Sequence, residues 1–78
     1  MDLEEVVSRL KAEGFVIKRG SSRVEASGPD ARILLFPDGG WAIIRSEGRA
    51  VSLEGSLGRG FSELLRKMAE DGLLPAFP

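Results

Sequence analysis

The chain has 78 residues, enough for one small domain and too few for a nucleotide-binding domain with a separate substrate domain beside it. Hydrophobic residues make up 42% and charged residues 29%, as in an ordinary folded domain, and 11 basic against 12 acidic side chains leave a formal charge of -1. No net field therefore recommends nucleic acid or an anionic membrane, and the absence of Cys and His removes thiolate and imidazole chemistry, the usual zinc donor sets and disulfides.

What remains for chemistry is carboxylates, hydroxyls, lysines, arginines and backbone dipoles. The chain opens Met1-Asp2-Leu3-Glu4-Glu5, acidic where a secretory signal is basic, and it contains no apolar run long enough to cross a bilayer. The expectation is a cytoplasmic domain without membrane contact or cofactor.

Residues 2 to 13 have the helical period, with Leu3, Val6, Val7 and Leu10 on one stripe and Glu4, Glu5, Arg9 and Lys11 opposite. Asp2 and Glu5 stand at capping-box spacing, and Gly14 supplies a left-handed stop after which Phe15 can close on Leu10. From Phe15 to Leu53 the period changes to two. The alternation predicts strands near 15 to 19, 23 to 27, 32 to 36 and 41 to 46, with a possible fifth near 49 to 53. The breaks are Gly20-Ser21-Ser22, Gly28-Pro29-Asp30, Pro37-Asp38-Gly39-Gly40 and Glu47-Gly48. In the third break Pro37 presets φ, Asp38 caps its own turn, and Gly39 or Gly40 takes the left-handed position.

Residues 57 to 71 return to the helical period through Leu57, Phe61, Leu64, Leu65 and Met68, with Ser56 or Ser62 as cap and Gly72 as stop. Leu73 can pack back on Met68, and the apolar tail from Leu74 to Pro78 can dock. A helix, an antiparallel meander of four or five strands and a second helix each present an apolar face. The simplest way to cover them is a single two-layer α+β sandwich over residues 1 to 78.

At the hairpin, Arg32-Ile33-Leu34-Leu35-Phe36-Pro37-Asp38-Gly39 followed by Ala42-Ile43-Ile44 resembles the C-terminal α+β module of ThiF/MoeB/HesA-type adenylyltransferases. The likeness covers roughly residues 3 to 45. In that family the segment reads (L/V)-x-(V/L)-F-P-D-G-R-A-(I/L)-(I/V), after a helix and two strands and before a closing helix. Gly39-Gly40-Trp41-Ala42 stands here where the family has Gly-Arg-Ala, and the family's Rossmann domain and zinc-binding cysteines have no counterpart. The resemblance carries over no catalytic residue. It implies the fold, and partners of sulfur-carrier or ubiquitin-like type.

Three constellations are candidates for function. The outer strands alternate, but Ile33 to Phe36 and Trp41 to Ile44 are apolar on both faces of the central hairpin. If both helices cover one face, the other exposes a strip containing Leu34, Phe36 and Ile44 or else the other alternating set, and Leu34, Phe36, Trp41 and Ile44 are the candidate interface for a protein partner or a homodimer. An alternative is an anion- or nucleic-acid-binding site built from a glycine-rich loop at 55 to 60, using Arg45, Arg49 and Arg59 with the amides of Gly58 and Gly60. The wider set of Arg19, Arg23, Arg32, Arg45, Arg49 and Arg59 suits bidentate recognition of phosphate or carboxylate, yet nucleic acid would ask for more stacking aromatics than Trp41 and Phe36. The adjacent carboxylates Glu4 with Glu5 and Glu70 with Asp71 form no acid-base pair. The expectation is a non-catalytic interaction module.

Overall fold

The computed structural model describes the backbone of residues 1 to 47 and 50 to 75, and the side chains of residues 1 to 45 and 56 to 75. The elements are α1 (Leu3–Ala12), β1 (Val16–Arg19), β2 (Val24–Ser27), β3 (Ala31–Leu35), β4 (Gly40–Glu47), β5 (Ala50–Arg59) and α2 (Phe61–Glu70). The five strands form one antiparallel sheet in sequence order, an uninterrupted meander. The fold is the α+β arrangement the periodicities predict.

Local chemistry accounts for both ends of α1. Asp2 Oδ1 accepts the Glu5 amide at 2.9 Å, satisfying one of the amides that a helix start leaves without a partner. At the other end Gly14 takes φ +97, the Phe15 amide donates to the Leu10 carbonyl and the Gly14 amide to the Lys11 carbonyl. That pair of bonds is a Schellman motif. It recurs at the end of α2, where Gly72 has φ +76, Leu73 donates to Met68 and Gly72 donates to Ala69.

One face of the sheet carries the core. Val24, Ala26, Ile33, Leu35, Trp41 and Ile43 share that face by register and are buried in a single cluster with Val6, Val7 and Leu10 of α1 and Phe61, Leu64, Leu65 and Met68 of α2. α1 lies over β1 and β2, and α2 over β4 and β5. Leu74 joins the same cluster after the α2 stop and Pro75 is exposed, whereas residues 76 to 78 of the expected tail lie outside the described residues. Two helices thus fill one layer and leave the other face of the sheet without a covering layer of described residues.

The C-terminal third departs from the sequence expectation. The fifth strand exists and is longer than the segment 49 to 53, running to Arg59, and α2 begins at Phe61 with Gly60 as its cap instead of Ser56 or Ser62. Leu57 therefore belongs to a strand and not to the helical stripe. Its spacing to Phe61 and Leu64 fits a helix, but Gly58 and Gly60 would each cost a helix about 1 kcal/mol relative to alanine. Pairing with β4 satisfies the same backbone groups. Along this ladder Ile44 opposes Gly55 while Ser46 opposes Val51, so the register shifts around Arg45 and β5 bulges there.

A bidentate ion pair ties α1 to the sheet edge. Arg19 at the end of β1 donates Nη1 to Glu4 Oε1 at 2.8 Å and Nη2 to Glu4 Oε2 at 2.9 Å. The hydrogen bond from Arg19, followed by the attraction of its charge, holds the Glu4 carboxyl below its ordinary value and raises the Arg19 guanidinium in turn. Because the folded value for Glu4 is the lower one, the pair contributes stability at pH above the ordinary carboxylate range, and the contribution is lost as pH falls through the folded-state value. In Arg19→Ala, Glu4 is expected to titrate in the ordinary carboxylate range by NMR. The stability gap between wild type and variant should close in acid below the Glu4 titration and shrink with added salt, since the pair is solvent-exposed.

Candidate interaction face of the sheet

On the face opposite the helices, the register lines residues up in rows across the strands. Lys18, Glu25, Leu34, Ala42 and Leu57 form one row, and Val16, Ser27, Arg32, Ile44 and Gly55 the next. Phe36 follows Leu34 by alternation beside Gly40, to whose carbonyl its amide donates at 2.9 Å, and Gly40 pairs with Arg59. Of the two alternating sets the sequence left open, the one on this face is Leu34, Phe36 and Ile44, all half-buried. Leu57 is 84% exposed and Val16 69%.

Trp41 parts from the other three. It lies on the helix face at 4% exposure, so it is a core residue and offers no surface to a partner. Alternation explains this directly: Trp41 sits one step from Ala42 and two from Ile43, sharing a face with the latter. Its indole lies over Gly58, its partner across β4 and β5, where an added Cβ would stand 2.2 Å from the ring. The indole Nε1–H donates to the Gly60 carbonyl at 3.0 Å.

The arrangement also changes the reading of the glycine-rich segment. Residues 55 to 59 are strand and not loop. The Gly60 amide donates to the Gly39 carbonyl at 2.8 Å, and the alternation of an antiparallel ladder then makes Trp41 and Gly58 the next hydrogen-bonded pair. Neither amide is directed at an anion. Arg59 is on the outer face with Nη2 at 3.5 Å from Asp38 Oδ2, while Arg45 is on the helix side, its Nη2 at 3.5 Å from the Asp71 carbonyl at the end of α2, where a cation is favoured. Arg49 lies outside the described residues. The described residues proposed for an anion site, Arg45, Gly58, Arg59 and Gly60, thus do not converge.

The remaining arginines are likewise divided. Arg19 holds Glu4, and Arg32 Nε is 3.4 Å from Glu25 Oε1 across the β2 and β3 strands. Arg23 lies at the β1–β2 end of the sheet with Lys18, Arg19, Gly20 and Glu25 around a shallow depression of about 160 Å³. Asp38 fulfils its turn role, Oδ1 accepting the Gly40 amide at 2.9 Å, with Gly39 at φ +93. Among the described residues no group of three or more His, Cys, Asp or Glu is placed to hold a metal ion, and no helix is long and apolar enough to cross a membrane.

Two members of the outer face were missing from the sequence expectation for the interface. Val16 was legible as an outward residue from its alternation with Phe15 and Ile17. Leu57 was hidden by its coincidence with the helical stripe, and only the two glycines after it spoke for a strand. In comparisons with known proteins, the chain matches no family model, no curated protein and no solved structure.

The packing of the indole on Gly58 generates a direct test. Gly58→Ala should destabilise the fold by about 1–3 kcal/mol, the usual range for forcing an extra methyl into a packed site. The measurement is urea unfolding followed by the fluorescence of Trp41, the chain's one tryptophan. Arg59→Ala, at an exposed neighbour, should stay within about 0.5 kcal/mol of wild type.

Proposed function

We propose that this chain is a non-catalytic interaction module whose working surface is the outer face of the sheet, centred on Leu34, Phe36, Ile44 and Leu57. The observation that carries the reading is the exposure of Leu57 on a face where its neighbours on β3 and β4, Leu34, Ala42 and Ile44, are also apolar. A solvated sheet face normally alternates to polar residues, and a contiguous apolar patch left outside the core is a usual mark of an association surface. β3, β4 and β5 supply that patch from paired strands, so its side chains are held in register before any partner arrives.

The partner is another protein or a second copy of the chain. The resemblance of residues 3 to 45 to the C-terminal module of ThiF/MoeB/HesA-type adenylyltransferases adds sulfur-carrier and ubiquitin-like proteins to the classes worth mixing with it. Nothing in this role requires a cofactor, and the chemistry of any larger assembly would come from other chains.

A photo-reactive phenylalanine analogue placed at position 57 should give saturable protein adducts, and the same group at Ser62, exposed on α2, should not. Leu57→Ser should abolish association while leaving unfolding within about 0.5 kcal/mol of wild type, because the side chain contributes little to the core. Equal adducts from both positions, or association unaffected by Leu57→Ser, would remove the proposal.

A further inference from the structure

The outer face is bipartite, and its charge is not balanced. At its β1–β2 end it carries Lys18 and Glu25 with Arg23 beside them, on β3 Arg32 next to Glu25, and toward β4 and β5 the apolar Leu34, Ala42, Ile44 and Leu57. Arg59 adds a further cation near the hairpin turn, opposed by Asp38. Among the described residues of this face, basic side chains (Lys18, Arg23, Arg32 and Arg59) therefore outnumber acidic ones (Glu25 and Asp38), although the chain as a whole has net charge -1. The helix side carries Glu4, Glu5, Glu13, Glu63 and Glu70 interleaved with Arg9, Lys11, Arg66 and Lys67.

Resting on the reading of this face as a docking surface, we infer that its occupant is an acidic amphipathic helix of another protein, laid across the strands. Its apolar stripe covers Leu34, Ile44 and Leu57, and its carboxylates reach Lys18 and Arg23. Charge complementarity decides against a second copy, since two such faces brought together would oppose their excess cations. It also argues for protein over nucleic acid. Phe36 is the sole aromatic side chain among the described residues of this face, half-buried, and Arg32 and Arg59 already face Glu25 and Asp38.

The geometry suits a helix. From Lys18 to Leu57 the row crosses five strands, four spacings of about 4.8 Å, or about 19 Å in all. A helix covers that distance in about 13 residues. A layer of helix is also how the opposite face of this same sheet is closed. At the basic end, the depression of about 160 Å³ lined by Lys18, Arg19, Gly20, Arg23 and Glu25 is large enough for a carboxylate, and with Arg19 held by Glu4 and Arg32 beside Glu25 its cations for a partner are Lys18 and Arg23.

The test is selection of a displayed library of random peptides, about 15 residues long, on the immobilised full chain, with counter-selection on Leu57→Glu. The expected pool is rich in Asp and Glu at helical spacing with Leu, Ile or Phe. Its members should lose binding to Leu57→Glu, and weaken on the order of tenfold against the double variant Lys18→Glu, Arg23→Glu and in high salt. A neutral or basic pool that still depends on Leu57 overturns the acidic partner and retains the docking face. A pool that binds Leu57→Glu as well as wild type overturns both readings. Sedimentation of the free chain serves as the second arm: self-association abolished by Leu57→Glu makes the occupant a second copy and overturns the inference. A single-stranded oligonucleotide that displaces the selected peptides from the face at lower concentration than they themselves require overturns it in favour of nucleic acid. Unchanged circular dichroism and melting of each variant show that the fold is intact.

Discussion

The contact of the Trp41 indole with Gly58, together with the bond from its Nε1–H to the Gly60 carbonyl, governs the C-terminal half of the molecule. Gly58 has to lack a side chain because the ring occupies the place of its Cβ. Gly60 at φ +96 turns the chain out of β5 and caps α2, with its carbonyl accepting both the indole and the Leu64 amide and its own amide donating to Gly39. One aromatic side chain thus joins β4, the end of β5, the hairpin turn and the start of α2. A bulky residue packed over a cross-strand glycine also replaces contacts that the glycine cannot make.

The same contact decides which way the last strand presents its side chains. With Gly58 facing the helices, Leu57 and Arg59 must face away, because successive side chains of a strand alternate. A register shift of one residue would bury Leu57 and expose Gly58. The open apolar face is in this sense a consequence of the core, and the proposed function depends on a packing interaction on the other side of the sheet. The two helices reinforce the asymmetry, since both pack on the Trp41 side and none of the described residues forms a layer over Leu57.

Much of the fold was legible because it is set by local signals. Asp2 and Gly14 bracket α1, Gly72 ends α2, and Asp38 with Gly39 turns the hairpin; each acts within a few residues, so a linear reading can find it. Alternation also marked Leu34, Phe36 and Ile44 as sharing a face. What failed were the segments where two periods fit equally well. Leu57 matches both a helical stripe and a strand, and the glycines at 55, 58 and 60 suit a phosphate-binding loop as readily as a strand packed beneath an indole.

By itself, the sequence determined the element types through residue 47, the stops of both helices, the antiparallel meander, and the exclusion of thiolate and imidazole chemistry. These follow from residue identity and short-range geometry. Only the tertiary structure decided that Trp41 is core while its hairpin neighbours Leu34, Phe36 and Ile44 face outward. It alone extended β5 through the glycines and separated Arg45 from Arg59 onto opposite faces. Those outcomes turn on which of two faces the helices cover and on the pairing of residues 17 positions apart, Trp41 with Gly58. Such choices are settled by packing between distant segments, and no local pattern encodes them.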